Sequence, residues 1–305
     1  MPLFIFISGY FAKRASVKKA LNFLLLYLIF QPIFRGFYYV LYPNSPFKLN
    51  LDVPYFHLWY LVSMAGWYFF AVGVRKLQLS DRIKIILSGA FFAFGIASKY
   101  LSGPIVTIVD HIDPKFYSYT LSYQRTLSFL PFFLAGLILT EDNMKKLQNT
   151  IKLKKLTPIL GIVSVYTYFI LADHTNLEKV LKGSYGIEEL KGTISHISLQ
   201  IIIGYLVAIA MSFLLLNLIG NKKSFLTRLG DHSLPIYLFH AFFVMIVKKI
   251  SLFKEIPPVI LLSILFLISM SIVWLLSSRI IIQSTYYLWH PSEVLKVSVK
   301  KLKTT

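Results

Sequence analysis

The sequence predicts an all-α fold, a polytopic bundle of helices integral to a membrane, and three observations carry that prediction. Of 305 residues, 56% are hydrophobic and only 15% charged, where a soluble domain carries about 25% charged residues. Apolar stretches of near-spanning length recur from one end of the chain to the other. Lysine and arginine collect in the short segments between them. A net charge of +19 would suggest nucleic acid in a soluble protein. Placed in loops between apolar runs, it is the signature of membrane topology. The expected partner is therefore the lipid bilayer, and no nucleic acid is expected.

Taken in order, the elements begin with a fragment. Residues 1–14 read MPLFIFISGYFAKR, an apolar run with a break at Ser8-Gly9-Tyr10 and a basic stop at Lys13-Arg14. A helix needs about 20 apolar residues to cross the hydrocarbon core, and Leu3–Ala12 supplies about half of that. Eight near-spanning stretches follow, at approximately 21–41, 56–74, 83–102, 126–140, 156–172, 197–219, 233–250 and 256–278. With the fragment they make about nine apolar segments. The stretch at 126–140 is short, and Thr120–Tyr123 offers an extension. The segments at 103–125 and 173–196 read as loops rich in Gly, Pro, Asp and His. No soluble domain fits between the spans, and Met1–Ala12 lacks the basic leader of a cleavable signal peptide.

Loop charge sets the orientation. The loops around Lys13–Lys19, Arg75–Lys84, Lys145–Lys155 and Lys222–Arg228, with the tail after Arg279, fall on one side of an alternating topology. They hold about twice as many Lys and Arg as the opposite loops, which places them and the C-terminus in the cytoplasm of a multi-pass cell-membrane protein. Met1 then starts on the outer face, an awkward position for half a span. One further span upstream would restore a cytoplasmic start and an even count. The chain thus reads as a ten-helix bundle lacking its first helix.

Several polar residues stand out against this apolar background. Arg35 lies inside the 21–41 stretch, where an ion is costly and marks a functional site, although a long side chain near a span end also snorkels to the interface. Pro32 is placed to kink that helix. His240 lies well inside the 233–250 stretch and shares a helical face with Tyr237 and Ser233, either as a hydrogen-bonded interior histidine or as a cavity group. His57, beside Trp59 and Tyr60, fits both an aromatic belt and a substrate-lining role, and Trp59 offers a ring for a sugar. Lys13 and Arg14 are topological anchors or phosphate ligands. Ser8-Gly9 either opens a helix to a cavity or packs helices closely. No cysteine is present, which excludes disulfides and thiolate chemistry. The other histidines lack metal-ligand spacing, so no metal is expected. Ser8, Ser63 and Ser233 lack a nucleophile elbow.

Four segments carry a family resemblance. MPLFIFISGYF at 1–11, HLWY at 57–60, LPFFLAG at 130–136 and LGDHSLPIYLFH at 229–240 resemble, in order, elements of the membrane acyltransferase 3 family, in the branch of fucose 4-O-acetylase-like proteins. The resemblance covers residues 1–290 and leaves 291–305 as a short basic tail. It implies transfer of an acyl group, commonly acetyl, from cytoplasmic acyl-CoA as donor substrate to a hydroxyl of a surface or exopolysaccharide sugar, with no bound cofactor. Such chemistry needs a base for the sugar hydroxyl and donors for the oxyanion. With that chemistry in view, His240 and Arg35 are the catalytic candidates, His57, Trp59, Tyr237 and Ser8 the candidates for the substrate, and Arg14 and Lys13 those for the CoA phosphates; the resemblance itself bears on His240, on His57 and on the basic residues Lys13 and Arg14. It also implies that the family's principal histidine and an arginine belong to the helix before Met1. An inactive remnant, a truncated product and a start assigned one helix late all stay open. Two rival classes are a polytopic transporter or flippase, against which no pair of Gly/Pro-broken repeats is found, and a polymerase-type partner of polysaccharide synthesis, against which the outer loops are short of arginine.

Overall fold

The computed structural model describes residues 1–47, 49–78, 80–111, 116–117, 119–149, 159–164, 166, 176–218, 225–250 and 256–291. Helices dominate, as the apolar runs require, because a backbone in lipid must satisfy its own hydrogen bonds. They are α1 Pro2–Phe11, α2 Val17–Leu41, α3 Trp59–Lys76, α4 Asp81–Ala97, α5 Ser102–Asp110, α6 Tyr123–Ile138 and α7 Glu141–Asn149. After these come α8 Leu177–Lys182, α9 Ile194–Leu218, α10 Phe225–Asp231, α11 Ser233–Ile250, α12 Pro258–Leu276, α13 Arg279–Ser284 and α14 Tyr286–Trp289. Most of the 156–172 stretch and all but Pro291 of the basic tail lie outside the described residues.

Among the described residues, three helices are long and apolar enough to cross a membrane alone: α2, α9 over Ile194–Leu216, and α11. A fourth span results if Gly89–Ala97 and Ser102–Val109, bent by 69°, count as one. The sequence reading treats 83–102 as one straight segment and Gly103-Pro104 as loop. The helix instead breaks at Ser98–Leu101 and resumes at Ser102, because proline is tolerated in a helix's first turn. Large apolar side chains such as Ile86, Leu206, Phe266 and Trp274 remain exposed, as expected of surfaces that meet lipid rather than water.

The chain divides into two compact units. The first comprises Met1–Leu21, Asp52–Pro54 and Val62–Gly220. Its centre is the pairing of α1 with α6. A Cβ added at Gly9 would collide with the Phe133 carbonyl, and one at Gly136 with the Phe6 carbonyl, so the two backbones touch where small residues allow it. Ser8-Gly9 is therefore a contact inside a continuous helix, and the expected break is absent; Ser8 Oγ donates to Phe4 O at 2.8 Å within that helix. Around α6, Trp67 Nε1 donates to Thr126 O at 3.0 Å and Tyr205 Oη to Ser128 O at 2.6 Å. Trp67 stacks on the fully buried Phe133 with centroids 5.5 Å apart.

The second unit comprises Asn22–Leu51, Tyr55–Leu61 and Asn221–Thr305. Its core is an aromatic cluster in which Phe34 stacks on Phe242 at 4.2 Å and Phe30 meets Phe239 edge-on at 5.6 Å. Pro32 sits inside α2, which runs unbroken through it. Its neighbour Gln31 is fully buried. That amide is spent on the following loop: Gln31 Nε2 donates to Asn50 O at 2.6 Å, and Tyr55 N donates to Gln31 Oε1 at 2.8 Å. The loop that ends at His57 is thereby fixed to α2.

Candidate active site

The second unit brings His57, Tyr237 and His240 together. His57 sits just ahead of α3 and is 6% exposed. The residue before it, Phe56, holds φ at 42°, a left-handed conformation that a bulky residue adopts only when its surroundings impose it. Tyr237 and His240 stand three residues apart on α11 and so share a face. The imidazoles of His57 and His240 lie 5.2 Å apart, the Tyr237 ring is 5.0 Å from His57, and Phe34 closes another side edge-on at 4.9 Å.

Hydrogen bonding gives the two histidines different characters. His240 Nδ1 approaches Tyr237 O at 2.7 Å and Ile236 O at 3.1 Å. Carbonyl oxygens only accept, so Nδ1 carries a proton, and in the neutral ring the lone pair is on Nε2. This is the tautomer of a base. Neither nitrogen of His57 reaches good hydrogen-bond geometry among the described residues, its nearest polar partner being the Leu238 backbone, although its own carbonyl accepts from Tyr237 Oη. A buried polar atom without a partner costs about 1–3 kcal/mol, and such groups are rare enough in folded proteins to mark a site.

The remaining expected residues are spread more widely. In the second unit Arg35 is half-buried, with its guanidinium carbon 5.1 Å from the Tyr55 ring centre, and its Nε makes no hydrogen bond among the described residues. Trp59 is 5% exposed, so its ring offers little open face to a sugar. In the first unit Lys13 lies 4.1 Å over the Tyr10 ring and lines a cavity of about 210 Å³ with Ala12, Ala15, Arg75, Gln78 and Leu137. Arg14 is exposed nearby in sequence, and its carbonyl accepts from Lys19 Nζ at 3.1 Å.

Residues 1–278 match the family model described as an acyltransferase domain, the acyltransferase 3 model. The chain belongs to the acyltransferase 3 family. It is thus a membrane acyltransferase that acts on groups other than amino-acyl groups. Among curated proteins and solved structures, none matches the chain.

Three residues of this acyltransferase escape a reading of the sequence. Gln31 has no motif around it, and only its burial shows that it positions the His57 loop. Arg75 looks like any other basic residue after a span, yet it shares a cavity with Lys13. Lys99 looks like a loop lysine and is fully buried. A signal existed only for Lys99: a lysine flanked closely by apolar sequence on its N-terminal side.

Proposed function

We propose that this acyltransferase moves an acyl group, acetyl in the simplest case, from cytoplasmic acyl-CoA to a hydroxyl of a surface or exopolysaccharide sugar. The observation that carries the reading is the engagement of His240 Nδ1 by Tyr237 O and Ile236 O, which leaves Nε2 of the neutral ring as an acceptor beside the buried His57. In the transfer, Nε2 takes the proton of the sugar hydroxyl as its oxygen attacks the thioester carbonyl. The tetrahedral intermediate collapses, the carbon–sulfur bond breaks, and the proton passes to the CoA thiolate. Ester and free CoA result, and atoms balance. His57 lies against the same face and is suited to orient the hydroxyl. Arg35 supplies a positive charge to the second unit's aromatic wall.

For the donor, a basic cavity holding Lys13 and Arg75 suits the CoA phosphates, since an arginine fork matches phosphate oxygens. The loop-charge bias supports a cytoplasmic location for this end and for the C-terminus. The likeness of four segments to fucose 4-O-acetylase-like proteins supports a carbohydrate acceptor.

The test is transfer of radiolabelled acetyl from acetyl-CoA to polysaccharide by membranes carrying the protein. His240→Gln should lower transfer by about 10²–10⁴-fold, the range of a lost general base. Full activity in that variant would overturn the assignment of the base. Absence of any labelled glycan with the unaltered protein would overturn the function itself.

A further inference from the structure

Helices α2 and α11 of the second unit end side by side: Lys249 Nζ, in the last turn of α11, donates to Leu41 O at the close of α2. Tyrosines and cations gather there. Arg35 and Tyr38 share a face of α2. The Arg35 guanidinium carbon lies 5.1 Å from the Tyr55 ring centre, and Tyr38 meets Tyr55 at 6.1 Å and Tyr42 at 4.8 Å. Lys249 Nζ stands 5.6 Å over Tyr42, and Lys248 Nζ 5.0 Å over Phe56. Both lysines are exposed.

Positive charge at this end exceeds what the fold uses. Among the described residues no ion pair includes Arg35, Lys248 or Lys249. The unit's described carboxylate, Asp231, precedes α11 at its opposite end. Asp52, nearest in sequence, belongs to the first unit, where its carbonyl accepts from Leu121 N at 2.6 Å. Membrane orientation gives no reason for these cations, since the cluster that the positive-inside tendency explains stands at the other end of α2, at Lys18 and Lys19. The dipole of α11 favours Lys248 and Lys249 at its C-terminus. Arg35 has no such support: it sits within α2, with Nε buried and without a hydrogen bond among the described residues. A charge inside an apolar helix is costly and marks a site.

The chemistry of the wall suits an acidic sugar. An arginine fork matches a carboxylate through two parallel hydrogen bonds, and aromatic rings offer flat apolar faces to the C–H side of a sugar. The same wall continues to the histidines. Phe34, next to Arg35, meets His57 at 4.9 Å, and Phe56, beneath Lys248, meets it at 5.9 Å. Lys248 lies two turns beyond His240 on α11, about 12 Å at the rise of a helix. A glycan with one hydroxyl at His240 therefore carries its neighbouring sugars past Arg35 and Lys248. A phospholipid headgroup reaches rim lysines, whereas Arg35 is half-buried beside the ring that closes over His57.

We propose that this wall is the subsite for anionic groups of the acceptor, and that the acceptor is an acidic polysaccharide with carboxylates close to the acylated hydroxyl. Arg35 clamps a carboxylate and Lys248 adds a supporting charge. The assignment rests on the carbohydrate-acceptor reading above and gives that acceptor its chemical class.

Binding of oligogalacturonate and of its methyl ester to the protein in phosphatidylcholine nanodiscs tests the subsite, because esterification removes the charge and keeps the sugar. The acid should bind at least about 10-fold more tightly, the worth of a charge-assisted hydrogen bond, and its advantage should shrink as salt rises. Arg35→Gln should abolish the preference. Lys248→Gln, at an exposed position, should reduce it, which keeps the test valid if Arg35→Gln fails to fold. Equal binding of the two forms, binding of neither, or a preference that survives both substitutions would overturn the subsite. Enrichment of phosphatidylglycerol at the protein that both substitutions remove, with no preference between the sugars, would make the patch a lipid contact and overturn it too. Labelled glycan decides the acceptor reading separately: transfer to a neutral polysaccharide without preference for an acidic one would overturn the subsite alone, and no labelled glycan at all would overturn the reading and the subsite with it.

Discussion

His57 and His240 face each other at 5.2 Å but are held unequally: His240 gives its Nδ1 proton to the backbone of its own helix, while neither nitrogen of His57 reaches good hydrogen-bond geometry among the described residues. Separating the histidines by substitution follows from this asymmetry. His57→Phe replaces a buried ring without a well-formed hydrogen bond by an apolar one and should hold or raise thermal stability, while transfer falls at least about 10-fold. His240→Gln should also fold, with the larger loss set out above. Melting curves and transfer rates measured on the same membranes decide it, and an active His57→Phe protein would reduce His57 to a packing residue.

Gln31 should behave as a positioning residue. Gln31→Leu leaves Asn50 O and Tyr55 N without their partners, at about 1–3 kcal/mol for each group that stays buried. We expect a lowered melting temperature and reduced transfer, with Gln31→Glu restoring only the bond from Tyr55 N. Equal activity in all three forms would show that the loop needs no such anchor.

Arg75→Ala should raise the KM for acyl-CoA by roughly 10–100-fold, the worth of one charge-assisted hydrogen bond, and leave kcat close to its original value. Lys13→Ala should act in the same direction, more weakly at high salt because its ammonium is exposed. An unchanged KM in both variants would remove the cavity from the donor path.

The α1–α6 contact predicts a stability effect independent of chemistry. Gly9→Leu or Gly136→Leu must push two backbones apart and should cost at least about 1–3 kcal/mol. Gly73→Ala is the control, since nothing lies within 4 Å of the added methyl group, and it should be neutral or slightly stabilising. Thermal unfolding in detergent reads both.

Parts of this architecture were open to inspection in the sequence, and the reasons for the rest are specific. The apolar runs mark α2, α9 and α11 because burial in lipid imposes length and composition together. Tyr237 and His240 share a face because helical spacing alone puts them there. Lys99 has the look of a loop lysine because it lies between the two helices bent by 69°, and Gly103-Pro104 disguises the resuming helix as loop. Gln31 and Phe34 are invisible for a different reason: their roles come from a loop more than fifteen residues further along the chain. Arg75 was absorbed into the charge bias of its loop, where one functional arginine cannot be told from topological ones.

Gly9 and Gly136 have one more consequence. They belong to two of the segments through which the chain is recognised, SGYF and LPFFLAG, and those segments turn out to be the two halves of one helix–helix contact. Recognition by these motifs therefore tracks how closely two backbones are allowed to approach. A relative that has lost every catalytic group would keep both glycines for as long as it kept its shape. Pattern matches of this kind enumerate scaffolds, and sorting the working enzymes among them falls to residues such as His240.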